Sequence, residues 1–268
     1  MKFLCLPGAY QSAYDFRREL VPLASEVERR GLATFAYAEA PSLVNAPPGW
    51  ASYHFDMPPL FRFRDCLAAD PFEPLRCVCH VPEGLSVEDE TRVLQNSGRQ
   101  EAWHCQDFQG SIDHISRLVE QDPEIDAVLG YSEGSMLAAS YLVDQERKLE
   151  MHGQSRRIKF AVFIAGSPPL RACEMGWHLD LPTLHIFGCG DPFTNSAFAP
   201  GNVCAPNKSM VYAHGHGRIF PPHADDIDAL ANLLQEIIPT IEQRPDIFNQ
   251  DDHGSMDDLE GQFRSLGV

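Results

Sequence analysis

Short apolar segments alternate with helical stripes along much of the chain. Lys2–Leu6 is a mostly apolar run that ends at a Pro-Gly pair, as expected of a strand that enters a turn. From Phe16 to Val27, apolar residues recur at spacings of three and four with charges between them, which predicts an amphipathic helix. Ala33–Tyr37 then has the pattern of a second strand. Strand, helix and strand in this order predict a βαβ unit with parallel strands.

The same alternation resumes in the second half of the chain. A helical stripe begins near Phe108, and the buried strand Ile125–Leu129 leads into a helix over Ser135–Lys148. The remaining predicted elements are three strands and a last helix: Phe160–Ala165, Thr183–Gly188, Ser209–Ala213 and Ile227–Ile238. These elements predict an α/β fold in which helices flank a mostly parallel central sheet.

The segment between these two halves lacks a regular pattern. Prolines interrupt residues 41–103 at many points, whereas aromatic side chains keep the segment apolar. A loop of this length inside a compact domain is usually functional. Two interpretations remain open: residues 45–105 form a lid over a pocket, or they form an irregular surface insertion that packs on itself. Trp103, near the end of the segment, is a candidate substrate-binding residue; its alternative role is to anchor the segment.

Length and charge restrict the domain organisation and the function classes. At 268 residues the chain fits one α/β domain over residues 1–240, followed by an acidic tail over 241–268. The net charge of −17 argues against binding to nucleic acid or to anionic membranes. No stretch approaches the ~20 apolar residues that cross a bilayer. Pro7 interrupts the first apolar residues too early for a secretory signal, so we expect a cytoplasmic protein.

The cysteines do not indicate a disulfide framework or a metal site. A cytoplasmic location favours free thiols for all eight. Cys77, Cys79 and His80 lie close together, with His104 and Cys105 further along, but their spacing fits no zinc pattern. We therefore predict no metal and no cofactor.

The strongest chemical signal lies where the strand Ile125–Leu129 meets the next helix. Residues 130–134 read Gly-Tyr-Ser-Glu-Gly, with Ser132 at the centre. A strand, a G-x-S-x-G turn and a helix in this order are typical of the nucleophile elbow of α/β-hydrolases. The turn is too tight for side chains at positions 130 and 134, which explains both glycines. Ser132 Oγ is expected to project near the helix N-terminus, where developing negative charge is stabilised.

A serine nucleophile needs a base, an acid that orients the base, and donors for the oxyanion. The order along the chain in this fold is Ser, then Asp or Glu, then His. Asp191 follows the strand Thr183–Gly188 and is the candidate acid; its alternative role is that of a turn residue before a proline. The N–H of Glu133 is one candidate oxyanion donor. The other is the N–H of Ala9 or Tyr10, in the turn after the first strand.

Seven segments, spread over most of the chain outside residues 45–105, resemble the family serine hydrolases, the FSH group of α/β-hydrolases that is abundant in fungi. They are Phe3–Tyr10 with Ser12 and Ala13, Gly130–Gly134, Ile164–Pro169, Pro182–Gly188, Asp191-Pro192, Asn202–Cys204 and His214–Pro221. The resemblance implies hydrolysis of carboxylic esters or thioesters. Several relatives accompany fungal polyketide pathways and release the chain from its carrier protein, which implies a small acyl substrate, free or carrier-bound.

One departure from the family pattern concerns the general base. The last segment of such relatives usually reads H-G-x-G-H-x-x-P, and the second histidine is the base. In this chain the corresponding position, three residues before Pro221, is Arg218. Arginine stays protonated at any working pH, so it cannot accept the proton of Ser132.

Three outcomes remain for the base. His216, two residues before Arg218, takes the role in our provisional assignment; His214 and His223 suit it less well because they fall at the end of a strand and at the start of a helix. Otherwise the triad is broken, and Arg218 binds a carboxylate, an enolate or a phosphate in the pocket or faces solvent. His185, within an apolar strand, is predicted to be a core histidine.

These observations favour a serine hydrolase that acts on an ester or thioester of an apolar acyl compound. Ser132 is the predicted nucleophile, Asp191 the orienting acid and His216 the provisional base. The first alternative is a catalyst on the same scaffold that does not hydrolyse, such as a cyclase or isomerase, because of Arg218. The second alternative is a ligand-binding protein without turnover.

Overall fold

A computed structural model describes residues 1–8, 11–44, 60–62, 108–152, 156–166, 179–189, 204–215, 220 and 223–243. Within these ranges the elements are β1 (Lys2–Leu6), α1 (Ala13–Arg29), β2 (Thr34–Tyr37), β3 (Ser42–Val44), β4 (Leu60–Arg62), α2 (Phe108–Gln121), β5 (Ala127–Tyr131), α3 (Glu133–His152), β6 (Phe160–Ile164), β7 (Thr183–Gly188), β8 (Ser209–His214) and α4 (Ala224–Gln243). A short 3-10 turn over Pro206–Lys208 precedes β8.

Six of the strands form one parallel sheet in the order β2-β1-β5-β6-β7-β8. The chain runs outward from β1 to β2 in one direction and from β5 to β8 in the other. The order therefore reverses between β1 and β5. Ligands of open α/β sheets bind at the carboxyl ends of the strands near such a switch point. The predicted α/β fold with a parallel central sheet is confirmed.

Helices cover both faces of this sheet, and successive residues of a strand point to opposite faces. In β1, Phe3 and Cys5 belong to one core, whereas Leu4 and Leu6 belong to the other. The first core includes the buried faces of α1 and α4, among them Phe16, Leu20, Val27, Leu230, Leu234 and Ile238. The second includes those of α2 and α3, among them Ile112, Ile115, Val119, Leu137 and Tyr141.

Several boundaries differ from those that the sequence pattern predicts. β5 begins two residues later than predicted and includes Gly130 and Tyr131, and α3 begins at Glu133 rather than at Ser135. The segment predicted to be irregular contains the antiparallel pair β3–β4, with Leu43 opposite Phe61. Three-residue strands are too short to give a recognisable alternation. The last helix continues to Gln243, past the predicted domain boundary at residue 240.

None of the helices within the described ranges combines the length and the apolarity that crossing a bilayer requires.

Candidate active site

Ser132 is the single residue between the end of β5 and the start of α3. Its φ angle is 53°, in the left-handed region that non-glycine residues rarely adopt. The residue is half-buried, so it retains contact with solvent. Such strain persists only where the surroundings enforce it, and it concentrates at functional positions. The nucleophile elbow predicted from the G-x-S-x-G pattern has the expected backbone.

Close packing explains the two glycines of the motif. A Cβ on Gly130 would lie 2.5 Å from Gly134 O and from the backbone of Ser135. A Cβ on Gly134 would contact the carbonyl oxygen of Leu6 and lie 2.5 Å from that of Pro7. A larger residue at position 130 would push the strand away from the first turn of α3, and one at position 134 would push the elbow away from the end of β1.

Backbone hydrogen bonds hold Ser132 against the neighbouring strand and the helix. Ser132 N donates to Ile164 O at 2.8 Å, and Ser135 N donates to Ser132 O at 3.1 Å. Glu133 is the first residue of α3, with its side chain only 6% exposed. The N-terminus of a helix carries partial positive charge, so this position suits an oxyanion donor.

The turn after β1 packs directly against the elbow. A Cβ on Gly8 would lie 3.0 Å from the Tyr131 ring and 3.4 Å from Ser132 Cβ. Gly8 N donates to Gln11 Oε1 at 3.0 Å, and Gln11 Nε2 donates to Glu19 Oε2 at 2.8 Å. Gln11 therefore braces this turn, a role that the sequence analysis missed because a lone glutamine carries no motif.

The end of β6 forms the other side of the elbow. Ala165 has a φ of 48° and donates its N–H to Ile186 O at 2.8 Å. Alanine gives no sequence signal for such a backbone, so this strained position was not predicted. Ser132 and Ala165 thus lie at the ends of adjacent strands, on either side of Ile164.

The ends of β7 and β8 lie side by side, since Gly188 pairs with His214 and Cys189 N donates to His214 O at 2.8 Å. His214 ends β8 with 3% exposure, as predicted. His223 immediately precedes α4, and its carbonyl accepts from Ile227 N at 3.1 Å. The other predicted site residues lie outside the described residues: Ala9, Tyr10, Trp103, Asp191, His216 and Arg218.

His185 is a core histidine, as predicted. It lies within β7 with 6% exposure, and its Nε2 is 3.0 Å from Thr183 Oγ1. Its ring packs 5.3 Å from that of Phe163. Burial lowers the pKa of His185 to about 4, so the imidazole is neutral at physiological pH.

The described part of the chain holds no group of three or more His, Cys, Asp or Glu arranged to bind a metal ion. The cluster around Cys77, Cys79 and His80 lies outside the described residues.

An elbow serine on a parallel sheet of this order defines an α/β-hydrolase. A CIB-like hydrolase from Thermoplasma acidophilum shares the fold, with a TM-score of 0.50 at 9% identity, over 89% of this chain and 86% of that chain. A family model described as Serine hydrolase (FSH1) matches residues 1–230. The chain therefore belongs to this family of serine hydrolases, as the sequence resemblance indicated.

Curated fungal proteins are similar over most of the chain. Hydrolase phiM of Talaromyces stipitatus is 23% identical, over 88% of this chain and 87% of the relative. Esterase citA of Monascus ruber is 24% identical, over 88% of this chain and 91% of the relative. Esterase FUS5 of Gibberella moniliformis is 23% identical, over 91% of this chain and 89% of the relative. The family and these relatives identify the chain as a hydrolase of the serine type.

Proposed function

We propose that the protein cleaves a carboxylic ester or thioester of an apolar acyl compound, with Ser132 as nucleophile. The observation that carries the proposal is the φ of 53° at Ser132, at the carboxyl end of β5 and next to the first turn of α3. In a serine hydrolase family member, a strained serine at this place is suited to attack an acyl carbonyl.

In the proposed reaction, Ser132 Oγ forms a bond to the acyl carbon while His216 takes the hydroxyl proton and Asp191 orients the imidazole. The tetrahedral intermediate collapses when the imidazolium returns the proton to the departing alkoxide or thiolate. Water then attacks the acyl-enzyme by the same route and releases the acid. Chain connectivity supports these roles, because Asp191 follows Cys189 by two residues and His216 follows His214 by two.

Two N–H groups stabilise the oxyanion in this proposal: that of Glu133, and that of Ala9 or Tyr10 in the turn that Gly8 begins. The closeness of Gly8 to Ser132 supports the second donor, since a Cβ added at Gly8 would lie only 3.4 Å from Ser132 Cβ. Donors of this kind usually contribute several kcal/mol to the transition state, roughly 3 to 4 each.

The substrate class is proposed at a finer level from the family resemblance and the fungal relatives. We propose an intermediate of polyketide or related secondary metabolism, presented as a small molecule or on a carrier protein, with Trp103 and Arg218 among the binding residues. A guanidinium suits a carboxylate or enolate in such an intermediate.

A panel of p-nitrophenyl esters and N-acetylcysteamine thioesters, with acyl chains of graded length, tests the reaction class. We expect turnover that peaks at a short or medium apolar acyl chain and disappears in Ser132→Ala. Absence of turnover across the whole panel would contradict the proposal.

The second candidate function is a cyclase or isomerase reaction on the same scaffold, and Arg218 is the observation that favours it. Arg218→His restores the residue at the family's usual base position. If His216 is the working base, this change removes the guanidinium and raises KM without raising kcat. A gain of about a hundredfold or more in kcat, in the range that general bases contribute, would show that the native chain lacks a base and would favour the second function.

A further inference from the structure

Ser135 carries a buried hydroxyl between the ends of β5 and β6. The residue lies in the first turn of α3 and is 1% exposed. Its Oγ lies 2.5 Å from Gly130 O and 3.1 Å from Ile164 O, and Ile164 N donates to it at 3.1 Å. One hydroxyl therefore connects the strand that leads to Ser132 with the strand beside it.

These contacts occupy a defined place in the sheet. Gly130 pairs with Phe163, and in a regular parallel ladder of this register the Ile164 N–H points to Gly130 O. Ser135 Oγ contacts both of these atoms, accepting from the N–H and donating to the carbonyl, as a hydroxyl can. Gly166 permits the arrangement, because a Cβ there would contact Ser135 Cβ.

Ile164 is also the residue that binds the backbone of the nucleophile. Its carbonyl accepts from Ser132 N at 2.8 Å. Ser132 and Ala165, on either side of this contact, both have positive φ angles. Strained residues keep their conformation only while neighbouring contacts over-determine it. The Ser135 hydroxyl supplies one such contact, since it holds both Gly130 and Ile164.

We propose that Ser135 is a positioning residue, whose hydroxyl fixes the direction in which Ser132 presents its Oγ. This inference rests on the proposed role of Ser132 as nucleophile. Loss of the hydroxyl lets the ends of β5 and β6 shift relative to each other, which misdirects the attack and leaves the substrate pocket intact. Misplacement of a reacting group by about 1 Å lowers rates by up to roughly a hundredfold.

Ser135→Ala tests the proposal, with Ser140→Ala as the matched control. Ser140 lies in the same helix, is 8% exposed, and donates its Oγ proton to Met136 O at 2.8 Å, away from Gly130 and Ile164. Both variants lose one buried hydroxyl, but Ser135 contacts two strands and Ser140 only its own helix, so we expect the larger decrease in Tm for Ser135→Ala. Only Ser135→Ala is expected to lower kcat and the rate of phosphonylation by a fluorophosphonate, by roughly tenfold to a hundredfold, with KM within twofold of wild type.

A kcat for Ser135→Ala within twofold of Ser140→Ala would overturn the proposal, and so would a loss confined to KM. If Ser135→Ala does not fold, Ser135→Cys replaces it, because a thiol is similar in shape but a much weaker hydrogen-bonding group. Ser132→Ala separates the two failures. Activity that survives Ser132→Ala refutes the nucleophile itself, whereas activity lost in Ser132→Ala and kept in Ser135→Ala refutes only the positioning role.

Discussion

Two groups of buried polar side chains lie at opposite ends of the sheet, and only one of them adjoins residues with a strained backbone. At the carboxyl end, Ser135 bonds to the backbone of β5 and β6, next to Ser132 and Ala165. Within the described ranges, these last two are the only non-glycine residues with positive φ. At the amino end of β7, Thr183 bonds to His185 and Ser209 at 3.0 Å each, along regular strands.

This difference in backbone strain is the basis for assigning a functional role to one group and a structural role to the other. Both groups satisfy buried polar atoms, which a folded chain must do to avoid a large desolvation cost. Only the group at the carboxyl end also maintains a strained backbone, and strain that brings no stability indicates a functional constraint. Substitutions at the carboxyl end should therefore affect activity, whereas substitutions at the amino end should affect stability alone.

The largest effect is expected from Ser132→Ala. Loss of the nucleophile should lower kcat by about 10⁴-fold or more, because triad residues act as a unit. The free energy of unfolding should stay within about 1 kcal/mol of wild type, since the hydroxyl is only half-buried. Ester hydrolysis and chemical denaturation measure the two quantities. If Ser132→Ala lost stability but kept its activity, the carboxyl end of the sheet would have a structural role instead, and the prediction would be contradicted.

His216→Ala should be next, with kcat lower by about 10³-fold, the order that a general base contributes. Exogenous imidazole should restore part of the rate, because the missing group is a proton acceptor. The control is His114→Ala: this histidine lies on α2, and its Nε2 is 3.0 Å from the carbonyl oxygen of Glu39, just after β2. Retained activity in His216→Ala would assign the base to another residue.

Gly134→Ala should impair stability and activity together. The added methyl would meet the carbonyl oxygens of Leu6 and Pro7, so the elbow and the end of β1 must separate. We expect a loss of about 3 kcal/mol in unfolding free energy, typical of overpacking, and a large decrease in kcat. In the control Gly31→Ala, the residue has a φ of 70° but no atom within 4 Å of the added Cβ. That variant should lose stability alone.

His185→Gln should have the smallest effect on activity, since its effect is confined to the pH dependence of stability. The folded protein keeps the imidazole neutral down to its pKa of about 4, whereas the unfolded chain takes up the proton near its ordinary value of 6.5. Stability therefore falls as the pH decreases from about 6.5 to about 4, by about 3 kcal/mol from this residue. The variant should lose this slope, measured by denaturation at several pH values. A slope equal to that of wild type, or an equal change in exposed His223→Gln, would contradict the assignment.

The sequence predicts the elements well where apolar runs are bounded by strong turn signals. The bounds of β7, Thr183–Gly188, agree with the prediction because Pro182 and the glycines after Phe187 delimit the run. The pattern predicts a start for β5 that is two residues too early, because Ile125 is buried, at 2% exposure, although it lies outside the strand. The apolar pattern indicates burial and not hydrogen bonding, so it cannot separate a buried residue before the strand from a residue of the strand. The start of α3 was missed because glycine is a poor helix former, and Gly134 lies in the first turn.

The residues of the candidate site also differ in how far the sequence predicts them. The strained turn at Ser132 was predictable because its motif is local, with strand, turn and helix contiguous in the chain. The contacts of Ser135 were not, since its partner Ile164 lies 29 residues away and the contact depends on strand register. Asp191, His216 and Arg218 remain predictions from chain order and family resemblance.

Covalent labelling shows most directly whether Ser132 is a solvent-accessible, activated nucleophile. The protein is incubated with a fluorophosphonate, digested and analysed by mass spectrometry, alongside Ser132→Ala. We expect a single phosphonylated peptide that contains residues 130–134, with the adduct on Ser132 and none in the variant. An unmodified Ser132 in active protein, or labelling that persists in Ser132→Ala, would contradict it.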